Sequence, residues 1–281
     1  MAIAAPLASD RSAGQPARIT RVAIAGATGY AGQELVRILA RHPAVTLTTA
    51  MSSAATSTPR PMPALARIWD GEVVPLDVDR LARDADVVFL ALPEAASAEL
   101  APQLLERGVK VIDLSGAFRI RAQADRQRWY PATAALPEGT VYGMTEGNQE
   151  AIRQARLVSN PGCYPTAALL ALEPLAAAGL LDGPVFVDAK SGISGAGKTP
   201  SDRTHFSENH GNVAAYSVFS HRHTAEIEQA LGRPVTFVPH LVPLDRGILS
   251  SLYARLVKGA AGQAVQNFNL MFGLDERAGL L

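Results

Sequence analysis

Apolar positions change their spacing along the chain, and the changes mark out its elements. Val22 to Ala25 form a short apolar run, a turn carrying Gly26, Gly29 and Gly32 follows, and Leu35, Ile38 and Leu39 then recur at helical spacing. The run "AVTLTTAMSS" after Pro43 reads as a second strand, so residues 20–53 predict a strand–helix–strand unit with a right-handed crossover. "ADVVFLALP" and "GVKVIDLSG" add two strands, separated by the helix-like "EAASAELAPQLLERG". Such alternation predicts an α/β fold with a doubly wound parallel sheet. From Phe118 to Arg156 charge, proline and glycine increase, which predicts long loops around a short helix at "TEGNQEAIRQ", capped by Thr145.

A helical run opens at "SNPGCYPTAALLAL", and a domain boundary is expected near Cys163. Beyond it "PVFVDAKSG", "AAYSVFS", "PVTFVPHLVP" and "GILSSLYARL" read as strands of a second, α+β domain, and Val265, Phe268 and Met271 or Phe272 mark a final helix. The expected division is a disordered lead-in over 1–17, a nucleotide-binding domain over 18–162, a catalytic and substrate domain over 163–256, and over 257–281 a helix that returns to the first domain.

Composition narrows the ligand class. Apolar residues make up 48% and charged residues 19% of 281, and 26 basic residues balance 26 acidic ones. Nothing in that balance favours nucleic acid or an anionic membrane, so a small molecule is the expected partner. A single cysteine forms no internal disulfide, and no apolar run is long enough to span a bilayer, which points to the cytoplasm. The N-terminal "MAIAAPLASDRSAGQPARITR" lacks the basic-then-apolar order of a secretory signal; Arg11, Arg18 and Arg21 leave a transit peptide as the alternative.

Gly26, Gly29 and Gly32 follow a strand and open a helix, where a phosphate approaching backbone N–H groups tolerates no Cβ; Thr28 and Tyr30 lie between them as further cofactor-binding positions. An acid at the end of the second strand normally meets a free ribose 2′-hydroxyl. Residues 46–60, "TLTTAMSSAATSTPR", contain none, and offer instead the hydroxyls of Ser52, Ser53 and Thr56 and the cation of Arg60, which favours NADP(H) over NAD.

Cys163 falls at a helix start, with Pro165 suited to the first turn; there the free N–H groups and the helix dipole favour a thiolate. Buried packing is the competing reading for a free cysteine. A nucleophile needs a base, and His221 and His223 in "SHRHTAEIEQAL" are the candidates, with Thr224 a cap for the helix after them. Two histidines so close also allow zinc, but no further ligand stands at recognisable spacing, so no metal is expected. His205, His210 and His240 are read as loop or structural residues, and Arg119 and Arg246 as cations for an anionic substrate.

Taken in order, "GATGYAGQEL", "DLSGAFR", "NPGCYPTAALLAL", "DAKSGISGAGK", "HRHTAEIEQ" and "PHLVPLDRGIL" resemble N-acetyl-γ-glutamyl-phosphate reductase, the NADPH enzyme of arginine biosynthesis, related to aspartate-semialdehyde dehydrogenase. The resemblance runs from Arg18 onward. It implies a Rossmann-type domain followed by a substrate and dimerisation domain, in a homo-oligomer, dimer or tetramer. It also implies that Cys163 attacks the acyl phosphate, releases inorganic phosphate and holds a thioester that is reduced to the semialdehyde. His221 would be the acid–base group, with His223 the alternative. Arg119 would bind the departing phosphate and Arg246 a substrate carboxylate, with Ser191 and Gly192 near the nicotinamide. The chain departs from this pattern where "SSLYARL" runs directly into "VKGAAGQAVQNFNL": relatives place several strands and a helix between Leu256 and Val257, and the Asp-Asn pair of the usual tail is absent. Alternatives are therefore a reductase of an aminoadipyl or aspartyl phosphate, or a cofactor-binding form with impaired catalysis.

Overall fold

A computed structural model describes residues 19–52, 58–133, 135–256, 260–275 and 278, with the side chains of 260–262 excluded. The lead-in over 1–17, Ser53, Thr56 and Val257 lie outside the described residues.

The first half is built around one sheet. Its elements are β1 (Thr20–Ala25), α1 (Tyr30–Leu39), β2 (Val45–Ser52), β3 (Arg60–Pro61), β4 (Glu72–Pro75), α2 (Val78–Asp84), β5 (Val87–Leu90), α3 (Glu94–Glu106), β6 (Lys110–Asp113), α4 (Gln123–Trp129), β7 (Thr140–Tyr142), α5 (Thr145–Gln154) and β8 (Leu157–Ser159). The eight strands lie in the order β3-β4-β2-β1-β5-β6-β8-β7 and pair in parallel except for β3 with β4. β1 sits in the middle and is buried from Val22 to Ala25, which explains why it reads as a continuous apolar run rather than an alternating one. The chain leaves β1 for β2 on one side and takes up β5 on the other, so the crevice beyond the carboxyl end of β1 is the switch point where such sheets bind ligands.

Between Phe118 and Arg156 there is more structure than the composition suggests. The buried Arg126 of α4 donates to the carbonyls of Ile120 (3.0 Å) and Arg121 (2.9 Å), so a charge that reads as loop polarity fastens the chain. Thr145 is not a cap: α5 begins at Thr145 itself, with Met144 before it, and kinks at Asn148, whose side chain donates to the Tyr142 carbonyl.

The second half comprises α6 (Cys163–Ala177), β9 (Leu181–Gly192), α7 (Phe206–Asn209), β10 (Ala214–Ala215), α8 (His223–Leu231), β11 (Val235–Val242), β12 (Ile248–Leu256) and α9 (Ala260–Met271). Its sheet runs β10-β11-β9-β12, parallel between β11 and β9 and antiparallel elsewhere. α6 and α8 pack on each other and on one face of this sheet, burying Leu169, Leu172, Val185, Val187, Ile227 and Phe237. The expected strand "AAYSVFS" shrinks to Ala214–Ala215, because Ser217 (φ 47°) and Phe219 (φ 59°) enter the left-handed region that a strand excludes. α8 begins at His223, not after a Thr224 cap.

The other sheet face is open, with Tyr253 beside Phe186 and Leu249 beside Lys190 across the β12–β9 ladder. The expected return of the final helix to the nucleotide-binding half is not seen among the described residues: α9 makes at most marginal contact with any other element, and Phe268, Met271 and Phe272 are exposed. Four Cα steps of ~3.8 Å separate Leu256 from Ala260, so α9 starts within about 15 Å of the end of β12.

Candidate active site

Cys163 is the first residue of α6, delivered by β8 through Asn160, Pro161 and Gly162. Gly162 is the N-cap residue in an extended conformation, and its carbonyl accepts from both the backbone N–H and the hydroxyl of Thr166, each at 2.9 Å. Pro165 sits in the first turn, where a missing N–H costs nothing. The thiol is open to solvent. Its pKa is nevertheless pushed up, since desolvation by the surrounding protein outweighs the backbone N–H groups of Tyr164 and Cys163 and the charge of Arg119. The helix-start N–H groups and Arg119 therefore pull toward the expected thiolate, against the opposing effect of desolvation.

Beneath the cysteine lies a buried polar knot. Arg119 donates from Nε to the Asn160 carbonyl (2.9 Å) and from Nη2 to the Leu114 carbonyl (2.8 Å), while its Nη1 lies 3.4 Å from both His223 Nε2 and Glu226 Oε2. Glu226 is fully buried, and its Oε1 accepts from the Gly162 N–H and the Tyr142 hydroxyl, both at 2.8 Å. Gln229, one turn on, donates to the Arg119 carbonyl and accepts from the Arg121 N–H. Gly162 must be glycine for space: a Cβ there would stand 2.5 Å from His223 Nε2 and 2.8 Å from Arg119 Nη1. Burial raises the Tyr142 hydroxyl, and the Glu226 carboxyl adds to it.

Arg119 is thus engaged chiefly in holding the loops around Cys163, through the Asn160 and Leu114 carbonyls. Glu226 and Tyr142 are contributors that sequence reasoning missed. A signal existed for Glu226, because it falls with His223, Ile227 and Leu231 on the inward stripe of α8, where a carboxyl is out of place.

The two histidines are side by side, with ring centroids 4.6 Å apart, but they do different things. The backbone N–H of His223 donates to Nδ1 of His221 (3.1 Å), which leaves the His221 proton on Nε2. His221 is boxed edge-on by Tyr164, Tyr216 and Phe237, and lines a cavity of 620 Å³ with Tyr216, Asn209, Arg203 and Arg222. Burial pushes its pKa down to about 4, with Arg222 adding to the shift. His223 is buried, does not line that cavity, and is held well below its usual pKa by burial and by Arg119.

Of the remaining histidines, His210 stacks on Phe206, His205 precedes α7, and His240 lies 3.2 Å from Asp188 on the second sheet. Among the described residues no three His, Cys, Asp or Glu side chains gather as a metal site.

The glycine turn is shaped for close backbone approach. A Cβ on Gly26 would lie 2.2 Å from the Ala91 carbonyl oxygen and one on Gly32 2.1 Å from that of Gly26, while Gly26 itself has φ 90°. Gly29 is the N-cap residue of α1 and carries no side chain to occupy the free N–H groups of the first turn, Tyr30 to Gly32. Thr28 and Ser52 bring their hydroxyls within 3.2 Å of each other at the end of β2. These residues fit a dinucleotide pyrophosphate. Ser191 is buried at the end of β9, with its hydroxyl on the Gly192 carbonyl, and a Cβ on Gly192 would strike the Arg246 backbone. Arg246 itself points elsewhere: it is exposed, 3.5 Å from Glu34 of α1 and 3.8 Å from Asp245, and it does not line the cavity beside His221. Arg60 stands apart from the cysteine, near the glycine turn.

A semialdehyde dehydrogenase NAD-binding domain matches residues 21–155, and the dimerisation domain of the same enzymes matches 163–272. N-acetyl-gamma-glutamyl-phosphate reductase of Desulforudis audaxviator is 42% identical over 339 aligned residues, covering 93% of this chain and 98% of that protein. The chain belongs to the N-acetyl-gamma-glutamyl-phosphate reductase family. The Bacillus subtilis member is 39% identical over 337 residues, 92% of this chain and 98% of that protein. Both aligned stretches are longer than the 281 residues present, so these family members carry internal segments that have no counterpart here. The fold recurs in aspartate semialdehyde dehydrogenase II of Vibrio cholerae, solved with ASA, at a TM-score of 0.65 and 19% identity over 89% of this chain and 78% of that one. It recurs again in the Candida albicans enzyme solved with NADP, at 0.61 and 13% over 89% and 75%.

Proposed function

We propose that the protein reduces N-acetyl-L-glutamyl 5-phosphate to N-acetyl-L-glutamate 5-semialdehyde with NADPH, releasing inorganic phosphate, through a thioester on Cys163. The observation that carries the reading is the placement of the only cysteine at the first position of α6, open to solvent, with Arg119 and His223 against the glycine before it. The Cys163 sulfur attacks the acyl carbon, the carbon–oxygen bond to phosphate breaks, and the thiol proton leaves with the phosphate.

When bound at the glycine turn, NADPH would supply the hydride. Tyr30, Ala31 and Gly32 offer N–H groups to its pyrophosphate, Ser191 and Gly192 flank the nicotinamide end, and Thr28, Ser52, Ser53 and Arg60 belong to the adenosine end. His221, neutral at pH 7 and carrying its proton on Nε2, faces the cavity as a hydrogen-bond donor. In that role it stabilises the developing oxyanion, and the thiolate released as the carbon–sulfur bond breaks takes its proton from solvent. His223, tied to Arg119, is a positioning residue for Gly162. The protein is proposed to act in the cytoplasm as a homo-oligomer; no described helix is long and apolar enough to cross a membrane.

A second reading, a coenzyme-binding protein with impaired catalysis, is favoured by the internal segments this chain lacks, which we place at Leu256/Val257. Assaying the reverse reaction with NADP, phosphate and N-acetylglutamate 5-semialdehyde separates the two. Reduced nicotinamide should accumulate with the parent protein and not with Cys163→Ala; coenzyme binding without turnover in the parent would replace the first reading by the second. Aminoadipyl and aspartyl semialdehydes in the same assay test the substrate.

A further inference from the structure

A cavity of 390 Å³ opens beside the glycine turn, walled by Thr28 and Gln33, by the stretch Arg60 to Ala64, and by Lys198. Lys198 comes from the other half of the molecule, from the segment that follows β9, and its Nζ donates to the Thr28 carbonyl at 3.2 Å across 170 residues of chain. Gln33 donates to the same carbonyl at 3.0 Å, which fixes the turn on which the lysine lands. Arg60 faces the cavity from β3. The wall contains two cations and no acid, and neither cation is paired with a carboxylate among the described residues. The nearest acid of α1, Glu34, is engaged by Arg37 and Arg246 and does not line the cavity. A site with two unpaired positive charges beside the end of β2 suits a dianion attached to the adenosine ribose.

We propose that Lys198 and Arg60, from opposite halves of the molecule, form a two-cation receptor for the 2′-phosphate of NADP(H). The inference rests on the coenzyme reading given above and adds Lys198 to it. Arg60 reaches the phosphate from the nucleotide-binding half and Lys198 from the half that carries His221. A phosphate between them exchanges the lysine's neutral contact with the Thr28 carbonyl for a charge-assisted one, and so ties the segment from Ile193 to Thr204 to the bound coenzyme.

Calorimetry with adenosine 2′,5′-bisphosphate and adenosine 5′-monophosphate tests this without turnover. The parent protein should prefer the bisphosphate. Lys198→Met should weaken bisphosphate binding about tenfold and leave the monophosphate unchanged. Arg60→Met should do the same, the double variant should bind both ligands alike, and Lys198→Arg should keep the preference. Both side chains are exposed, and thermal melts of the variants with no ligand should match the parent. A Lys198→Met protein that keeps the parental preference, or that loses both ligands equally, overturns the assignment of Lys198 while leaving the NADP reading standing. A parent protein with no preference overturns both.

Discussion

At the scale of single residues, the histidine pair sets the pH dependence of stability. His221 is pushed down to about 4 and His223 is shifted in the same direction, both chiefly by burial, whereas unfolded histidine titrates near 6.5. Between the folded and unfolded values the unfolded chain binds protons that the native site refuses, so stability is full above pH 6.5 and falls as pH drops toward 4. Each histidine contributes a slope of up to about 1.4 kcal/mol per pH unit in that window. Urea unfolding from pH 7 to pH 5 should show this loss, and His221→Gln should remove about one proton's share of the slope. An unchanged slope in the variant would mean that His221 is solvated in the native state. The pair was legible in the sequence as chemistry. Its asymmetry was not, because which ring meets Arg119 and which meets the cavity depends on where α8 begins, and nothing at Thr224 marks that start.

At the scale of elements, Glu226 joins three pieces of chain. It sits on α8, takes the N–H of Gly162 at the head of α6 and the hydroxyl of Tyr142 on β7, and pairs with Arg119. Removing one member of a buried ion pair strands the other, at a cost of about 3–5 kcal/mol. Glu226→Ala should therefore lower the unfolding free energy by an amount of that order, read from urea unfolding, and should also cut activity, because Gly162 and Cys163 lose their anchor. Glu226→Gln keeps an oxygen for Gly162 and Tyr142 and should recover much of the lost stability. Equal losses in the two variants would show that the charge, not the hydrogen bonds, is what matters.

The element-scale fold was largely readable. The apolar runs at β1, β2, β5, β6, β9, β11 and β12 each became a strand; β1, β5 and β6 read as unbroken apolar stretches because they are central and parallel, while β9 and β11 alternate. What escaped were the short strands β3, β4, β7 and β8, whose few residues carry no period, and the strand expected at "AAYSVFS", which two left-handed residues cut short. The cysteine, the glycine turn and the histidine pair stood in motifs with local meaning. The partners of Arg119 did not, since Asn160, Leu114 and Glu226 meet only once both halves are folded.

At the scale of the whole molecule, the described residues cover the second sheet on one face only. Phe186 is 45% exposed, Tyr253 59% and Leu249 68%, and the first two are direct neighbours across the β9–β12 ladder. Burying two aromatic rings and a leucine against a second copy offers roughly 1.5–3 kcal/mol per side chain. That suits self-association through this face, and the domain that carries it matches a dimerisation domain in its family. Sedimentation velocity at micromolar concentration should give an oligomer for the parent protein. Leu249→Glu together with Tyr253→Lys should shift it to the monomer, because each charge would be buried unpaired on docking. The same pair should leave the coenzyme cavity and the Cys163 knot intact, as neither residue touches them. β12 offers a second route, since among the described residues it is the last strand of its sheet and pairs only with β9. Edge-to-edge pairing would use its free backbone groups and would survive the two face substitutions, giving assemblies that grow with concentration instead of a closed oligomer. A double variant that stays associated and keeps growing would therefore move the contact from the open face to the edge of β12.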